Sequence, residues 1–188
     1  MATHSIDISL PEWLIIELSK ENISILEQDA QMLYVINLAR KNVENKTGGP
    51  FAACVFDMDS GSLISAGVNL VTTHRLSISH AEVIAIMLAQ NALKNYNLSD
   101  NNLPNCVLVT STEPCIMCLG AFHWSGIKHL VCGARDEDAR EAGFDEGDKP
   151  DDWLKKLKQR GISVTVDVKR DESIAVLKQY VVENGVIY

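Results

Sequence analysis

The chain has 188 residues, 46% hydrophobic and 22% charged, enough for one domain with a substantial apolar core. A net charge of −8 lacks the basic footprint of a nucleic-acid binder, and no apolar run approaches the ~20 residues of a membrane span. Five cysteines, an odd number, in a chain whose N-terminus shows no basic region followed by an apolar block and cleavage site, argue for reduced thiols or metal ligation over disulfides. The expectation is a cytoplasmic protein whose partner is a small molecule.

In chain order, the N-terminal region up to "KNVEN" reads as helical. Pro11 can open a first helix, and Ser24 with Glu27 fits a capping box for a second running through "EQDAQMLYVINLARKNVEN". Thr47-Gly48-Gly49-Pro50 stops it. "FAACVFD" (51–57) and "SLISAGVNLV" (62–71) read as strands of a hairpin turned by "MDSG", and "HAEVIAIMLAQNALKN" (80–95) as a largely buried helix. "CVLVTS" (106–111) suits a central strand, "CIMCLGAFHWSG" a helix ending near Gly126, and "KHLVCGA" (128–134) a further strand. Then follow an amphipathic helix (150–161) with the solvated run "KKLKQR", a strand (162–168) and a last helix (171–185) closed by Gly185. An antiparallel hairpin feeding alternating helix and strand predicts an α/β layered domain with a mixed sheet.

Chemistry concentrates in "STEPCIMCLGAFHW" (111–124), which sets Cys115 and Cys118 three apart at a helix start. Both sulfurs can face one point there, and the helix dipole favours thiolates. Alone, such a pair is open to three readings: a redox couple, zinc ligation or inert packing. A structural zinc site needs four protein ligands, yet Cys54, Cys106 and Cys132 all lie in apolar strand patterns suited to buried free thiols. Upstream, "SHAEVIA" puts His80 and Glu82 at the very start of a buried helix, where both side chains can project past its end. His80 and two thiolates give three ligands and one open position, the layout of a catalytic zinc, with Glu82 in reach of that position. Singly, His80 is an ordinary core or surface residue and Glu82 a helix-dipole partner. Together, H-x-E followed by P-C-x-x-C is the signature of zinc-dependent base deamination. Zinc lowers the pKa of its water from about 15.7 to about 7, and the hydroxide attacks the amine-bearing carbon of an aromatic ring. Glu82 would take the proton, pass it to a ring nitrogen and then help protonate the leaving amine. Backbone N–H groups near Glu113 to Cys115 are candidates to position the hydroxide.

On "GGPFAACVF" (48–56), "HAEVIAI" (80–86), "EPCIMCLGAFHW" (113–124) and "EAGFDEG" (141–147), the chain resembles the cytidine deaminase-like superfamily and, within it, the bacterial guanine deaminases. The first three segments recur in variant form in tRNA adenosine deaminases; the fourth tilts the resemblance toward guanine. The resemblance implies a three-layer α/β/α sandwich around a five-stranded mixed sheet. The chain reads as one domain over 1–188 with an N-terminal helical extension (about 1–47), longer than compact family members need, and the resemblance implies a C-terminal closing segment (about 171–188). It implies one zinc held by His80, Cys115 and Cys118, Glu82 as proton shuttle, Asn69 as a base-recognising amide, and Phe51 and Trp124 as apolar walls. Of the acidic pair Asp145 and Glu146, the resemblance makes Glu146 a second carboxylate facing the exocyclic amine; without it the pair reads as a solvated loop. Tyr188 would be a pocket residue on a tail closing the site, in a homodimer that can be swapped.

The implied activity is hydrolytic conversion of guanine to xanthine and ammonia, with water as co-substrate, or of a related heterocycle such as ammeline. The alternative is another nucleobase, nucleoside or tRNA adenosine deaminase, which the acidic charge disfavours for tRNA. Thr112, where a cysteine is often found, and His123 depart from the family pattern. A non-catalytic metal or redox protein would not depend on Glu82.

Overall fold

Side-chain alternation along two strands divides the core into two layers. In β1 (Ala52–Asp57), Ala52, Cys54 and Phe56 pack into one apolar cluster, and Ala53 and Val55 into the other. In β3 (Cys106–Thr112), Val107 and Val109 join the first cluster, Cys106 and Leu108 the second. Every residue of β3 is buried, as its continuous apolar run predicts for a strand covered on both faces. This is a computed structural model, and it describes residues 4–20 and 23–188.

The sheet has five strands in the order β2-β1-β3-β4-β5, with β2 (Leu63–Val68), β4 (His129–Ala134) and β5 (Ser163–Thr165) completing it. β1 runs antiparallel to β2 and β3, whereas β3, β4 and β5 are mutually parallel. On one face lie α1 (Glu12–Leu18), α2 (Gln28–Glu44) and, near the C-terminus, α8 (Arg170–Val182). On the other lie α4 (Ala81–Leu93), α5 (Ile116–Ser125) and α7 (Trp153–Gln159). The N-terminal segment is tied down by Leu14, which is fully buried, and by Trp13 Nε1 donating to Thr47 Oγ1 at 3.0 Å.

The structure differs from expectation in four places. Ser24 forms no capping box: it pairs with Ser62 in an isolated bridge and its hydroxyl donates to Ser60 O, so α2 begins at Gln28 with Glu27 as an N-cap lacking a side-chain bond. The hairpin turn competes successfully for the serine. The second strand stops at Val68 instead of 71, because Asn69 Oδ1 accepts Val71 N at 3.2 Å and starts a short helix, α3 (Val71–His74). Another helix, α6 (Asp136–Glu141), is short and polar, with no apolar period to reveal it. The last strand is three residues long instead of seven.

Candidate metal centre and binding cavity

Two helix starts converge beyond the carboxyl ends of β2 and β3. His80 is the N-cap of α4 and Cys115 the N-cap of α5, both in extended conformation, and Cys118 lies one turn into α5. This resolves the i, i+2 spacing of His80 and Glu82: the cap residue points forward while Glu82 sits in the first turn. The ligand atoms of His80, Cys115 and Cys118 all lie within 4.8 Å of one another, and Cys115 Sγ is 3.6 Å from His80 Nδ1. Zn–N and Zn–S bonds of about 2.0 and 2.3 Å at a tetrahedral angle put N and S about 3.5 Å apart, so the donors fit one zinc in type and spacing.

Of the three donors only Cys115 is shifted toward its ligating form: the hydrogen bond with Cys115, then burial, pushes the Cys118 thiol up, and against burial the Cys115 hydrogen bond holds His80 up. The hydrogen bond from Cys118, together with that from His80, holds the Cys115 thiol down to about 4 against the opposing effect of burial. Burial, then the Cys115 thiolate, pushes the Glu82 carboxyl up. Glu82 Oε2 accepts from Cys118 Sγ at 3.4 Å and Oε1 from Thr110 Oγ1 at 3.5 Å, which places the buried carboxylate beside the metal donors.

The centre opens into a cavity of about 300 Å³ whose lining includes Phe51, Asn69, Phe144, Asp145, Glu146 and Tyr188. Phe51 and Phe144 meet edge-on at 4.8 Å, and Tyr188 closes on Phe144 at 5.7 Å, forming an apolar wall. Asn69 is buried, its carbonyl held by Asn42 Nδ2 at 2.9 Å, and its Oδ1 accepts from Tyr188 Oη at 2.5 Å. That leaves the Asn69 Nδ2 hydrogens for a ring acceptor. Glu146 is buried, and burial, then Cys115 and Glu82, raise its carboxyl to about 8.

Not every expected residue joins the site. Trp124 is 81% exposed and outside the cavity lining, because it lies on a different face of α5 from the inward Cys118. Asp145 lines the cavity but is exposed, and its carboxylate accepts Gly147 N at 2.9 Å, serving the loop's turn. Among the amides near Glu113 to Cys115, Glu113 N donates to Ala134 O, Pro114 has no N–H, and the next amide, Ile116 N, donates to Glu146 O. Only Cys115 N–H remains to meet a ligand among these described residues. Within the single chain the tail docks on its own cavity, with Tyr180 Oη donating to Val186 O at 2.9 Å. Phe144, Thr110 and Glu113 were not anticipated; Phe144 had a signal, since it sits inside "EAGFDEG".

Residues 26–134 match the cytidine and deoxycytidylate deaminase zinc-binding region. Guanine deaminase of Bacillus subtilis is 43% identical over 111 residues, covering 59% of this chain and 67% of that protein. The solved guanine deaminase from Nitrosomonas europaea superposes with a TM-score of 0.90 at 45% identity, covering 96% of this chain and 98% of the other. A structure of the protein NE0047 in complex with 2,6-diaminopurine gives 0.91 at 48% identity, over 97% and 95% of the two chains. The fold, the metal donors and these likenesses agree: the chain belongs to the cytidine and deoxycytidylate deaminase family of zinc-dependent enzymes.

Proposed function

We propose that this chain hydrolyses guanine to xanthine and ammonia in the cavity beside His80, Cys115 and Cys118. The observation that carries the reading is a buried carboxylate, Glu82, set against three zinc donors at the floor of a cavity that also presents an amide and a second carboxylate. The guanine deaminases of Bacillus subtilis and Nitrosomonas europaea support the choice of ring.

Zinc bound by these donors supplies hydroxide at neutral pH. Glu82 takes the proton released, delivers it to the ring nitrogen beside the attacked carbon, then takes the proton of the hydroxyl added to that carbon and passes it to the departing amine as the carbonyl forms. Burial that raises the carboxyl fits a group that must both take and give a proton. Asn69 Nδ2 donates to an acceptor on the ring, and Glu146 receives the exocyclic amine's hydrogens. Phe51 and Phe144 hold the ring flat, and Tyr188 covers it and keeps bulk water out. The protein acts in the cytoplasm as one domain; among its described residues no helix is long and apolar enough to cross a membrane. It pairs with a second copy, a reading supported by exposed Ile116 and Trp124 on α5, and sedimentation giving a monomer mass would contradict it.

A panel of guanine, 2,6-diaminopurine, ammeline, cytosine and tRNA, followed by ammonia release, tests the substrate. The expected order puts guanine first and tRNA without turnover. Turnover of tRNA above guanine would overturn the reading.

A further inference from the structure

Glu146 sits on a loop, and one buried cation anchors that loop. Lys149 has a side chain only 5% exposed, with Nζ 3.2 Å from Glu113 Oε2, 3.2 Å from Asp136 Oδ1 and 3.3 Å from the Pro114 carbonyl. It also lies 4.7 Å from the centroid of the Trp153 ring. A buried ammonium is costly unless paired, and here it meets two carboxylates, a carbonyl and an aromatic face. Glu113 is itself buried, lines the cavity and directly precedes Pro114 and Cys115, so without Lys149 it would be a carboxylate beside the zinc donors held only by Asp136 N at 3.3 Å. The loop is pinned at two further points: Ile116 N donates to Glu146 O at 3.1 Å, and Arg140 Nη2 donates to Gly147 O at 2.6 Å. Gly147 has φ +69, and a Cβ there would lie 2.4 Å from Ile116 Cγ2, so the loop turns in close contact with α5.

We propose that Lys149 is a positioning residue for Glu146: its clamp on Glu113, Asp136 and the Pro114 carbonyl fixes the 144–149 segment against the start of α5 and thereby sets where the Glu146 carboxylate meets the ring. This rests on the guanine reading and on Glu146 acting in it. Lys149 lies three positions after Glu146, a reach of about 10 Å, so a slack Lys149 is felt at Glu146. Misplacement of a reacting group by about 1 Å costs on the order of 100-fold in rate.

The test is a double-mutant cycle on zinc-loaded protein: wild type, Lys149→Met, Glu146→Gln and the double variant, assayed by xanthine absorbance, with zinc content measured throughout. Lys149→Met is expected to lower kcat/KM roughly 10- to 100-fold, mainly in kcat, at one zinc per chain. In the Glu146→Gln background the same change should cost less than about 3-fold, because the lysine acts through that carboxylate. Lys149→Arg, which keeps the charge, should recover most of the loss, and Lys149→Gln carries the cycle if Lys149→Met does not fold. Equal losses in both backgrounds, or zinc lost from the lysine variant, would overturn the clamp. A wild type inactive on guanine would instead overturn the functional reading, and the clamp with it.

Discussion

Removing the Tyr188 hydroxyl tests how the tail serves the cavity. In Tyr188→Phe the bond to Asn69 Oδ1, 2.5 Å long and partly buried, disappears while the ring stays against Phe144. Such a bond contributes a net ~1 kcal/mol, which is about 5-fold in kcat/KM if the phenol's work is to hold Asn69 with Nδ2 toward the substrate. Deleting residues 186–188 also removes the edge contact with Phe144, worth a further ~1 kcal/mol, so the combined loss should be about 30-fold. Gly49→Ala attacks the same contact from the other side, since its Cβ would lie 2.6 Å from Tyr188 Oη and must displace the phenol. All three variants are to be assayed for xanthine formation from guanine, with melting midpoints in parallel. A Tyr188→Phe enzyme with unchanged kcat/KM, and a truncated enzyme within 2-fold of it, would refute the idea that the tail orients Asn69.

Other substitutions separate metal, substrate and stability. Cys118→Ser removes a fully buried zinc donor, so zinc content measured by atomic absorption should fall well below one per chain. Asn69→Ala takes away the amide donor that the proposed binding mode gives the ring and should raise KM for guanine about 10-fold with zinc retained, as steady-state kinetics would read. Asp138 accepts Arg170 Nε at 2.8 Å, Arg170 Nη2 at 2.9 Å and Arg135 N at 2.7 Å, and the Arg170 hydrogen bonds hold its carboxyl below the ordinary 3.8. A depressed folded-state pKa contributes stability that is present above the unfolded value and lost as pH falls through the folded one. Asp138→Asn should therefore cost about 1–2 kcal/mol in urea unfolding at pH 7, a gap that shrinks below about pH 4.

What could be read from the chain followed the range of the interactions involved. His80, Glu82, Cys115 and Cys118 were legible because each pair lies within one helical turn, where spacing dictates geometry, and the structure brings the three zinc donors together. The sheet was legible because β1 and β3 carry uninterrupted apolar runs. Ser24 misled because its capping pattern is local while its partner, Ser62, lies across the hairpin. Lys149 was invisible for the same reason: nothing in "GDKP" says that a carboxylate just past β3 and another at the start of α6 will enclose it. Trp124 is the opposite case: the resemblance makes it a wall of the cavity, whereas in the single chain the turn of α5 carries it outward.

The most direct measurement is ammonia release from guanine by protein of known zinc content, wild type against Glu82→Gln. Wild type with one zinc per chain should release ammonia stoichiometrically with xanthine, and the variant, with zinc retained, should lose at least about 100-fold of that rate. A Glu82→Gln enzyme that keeps its rate, or a zinc-loaded wild type that leaves guanine intact, would contradict the account.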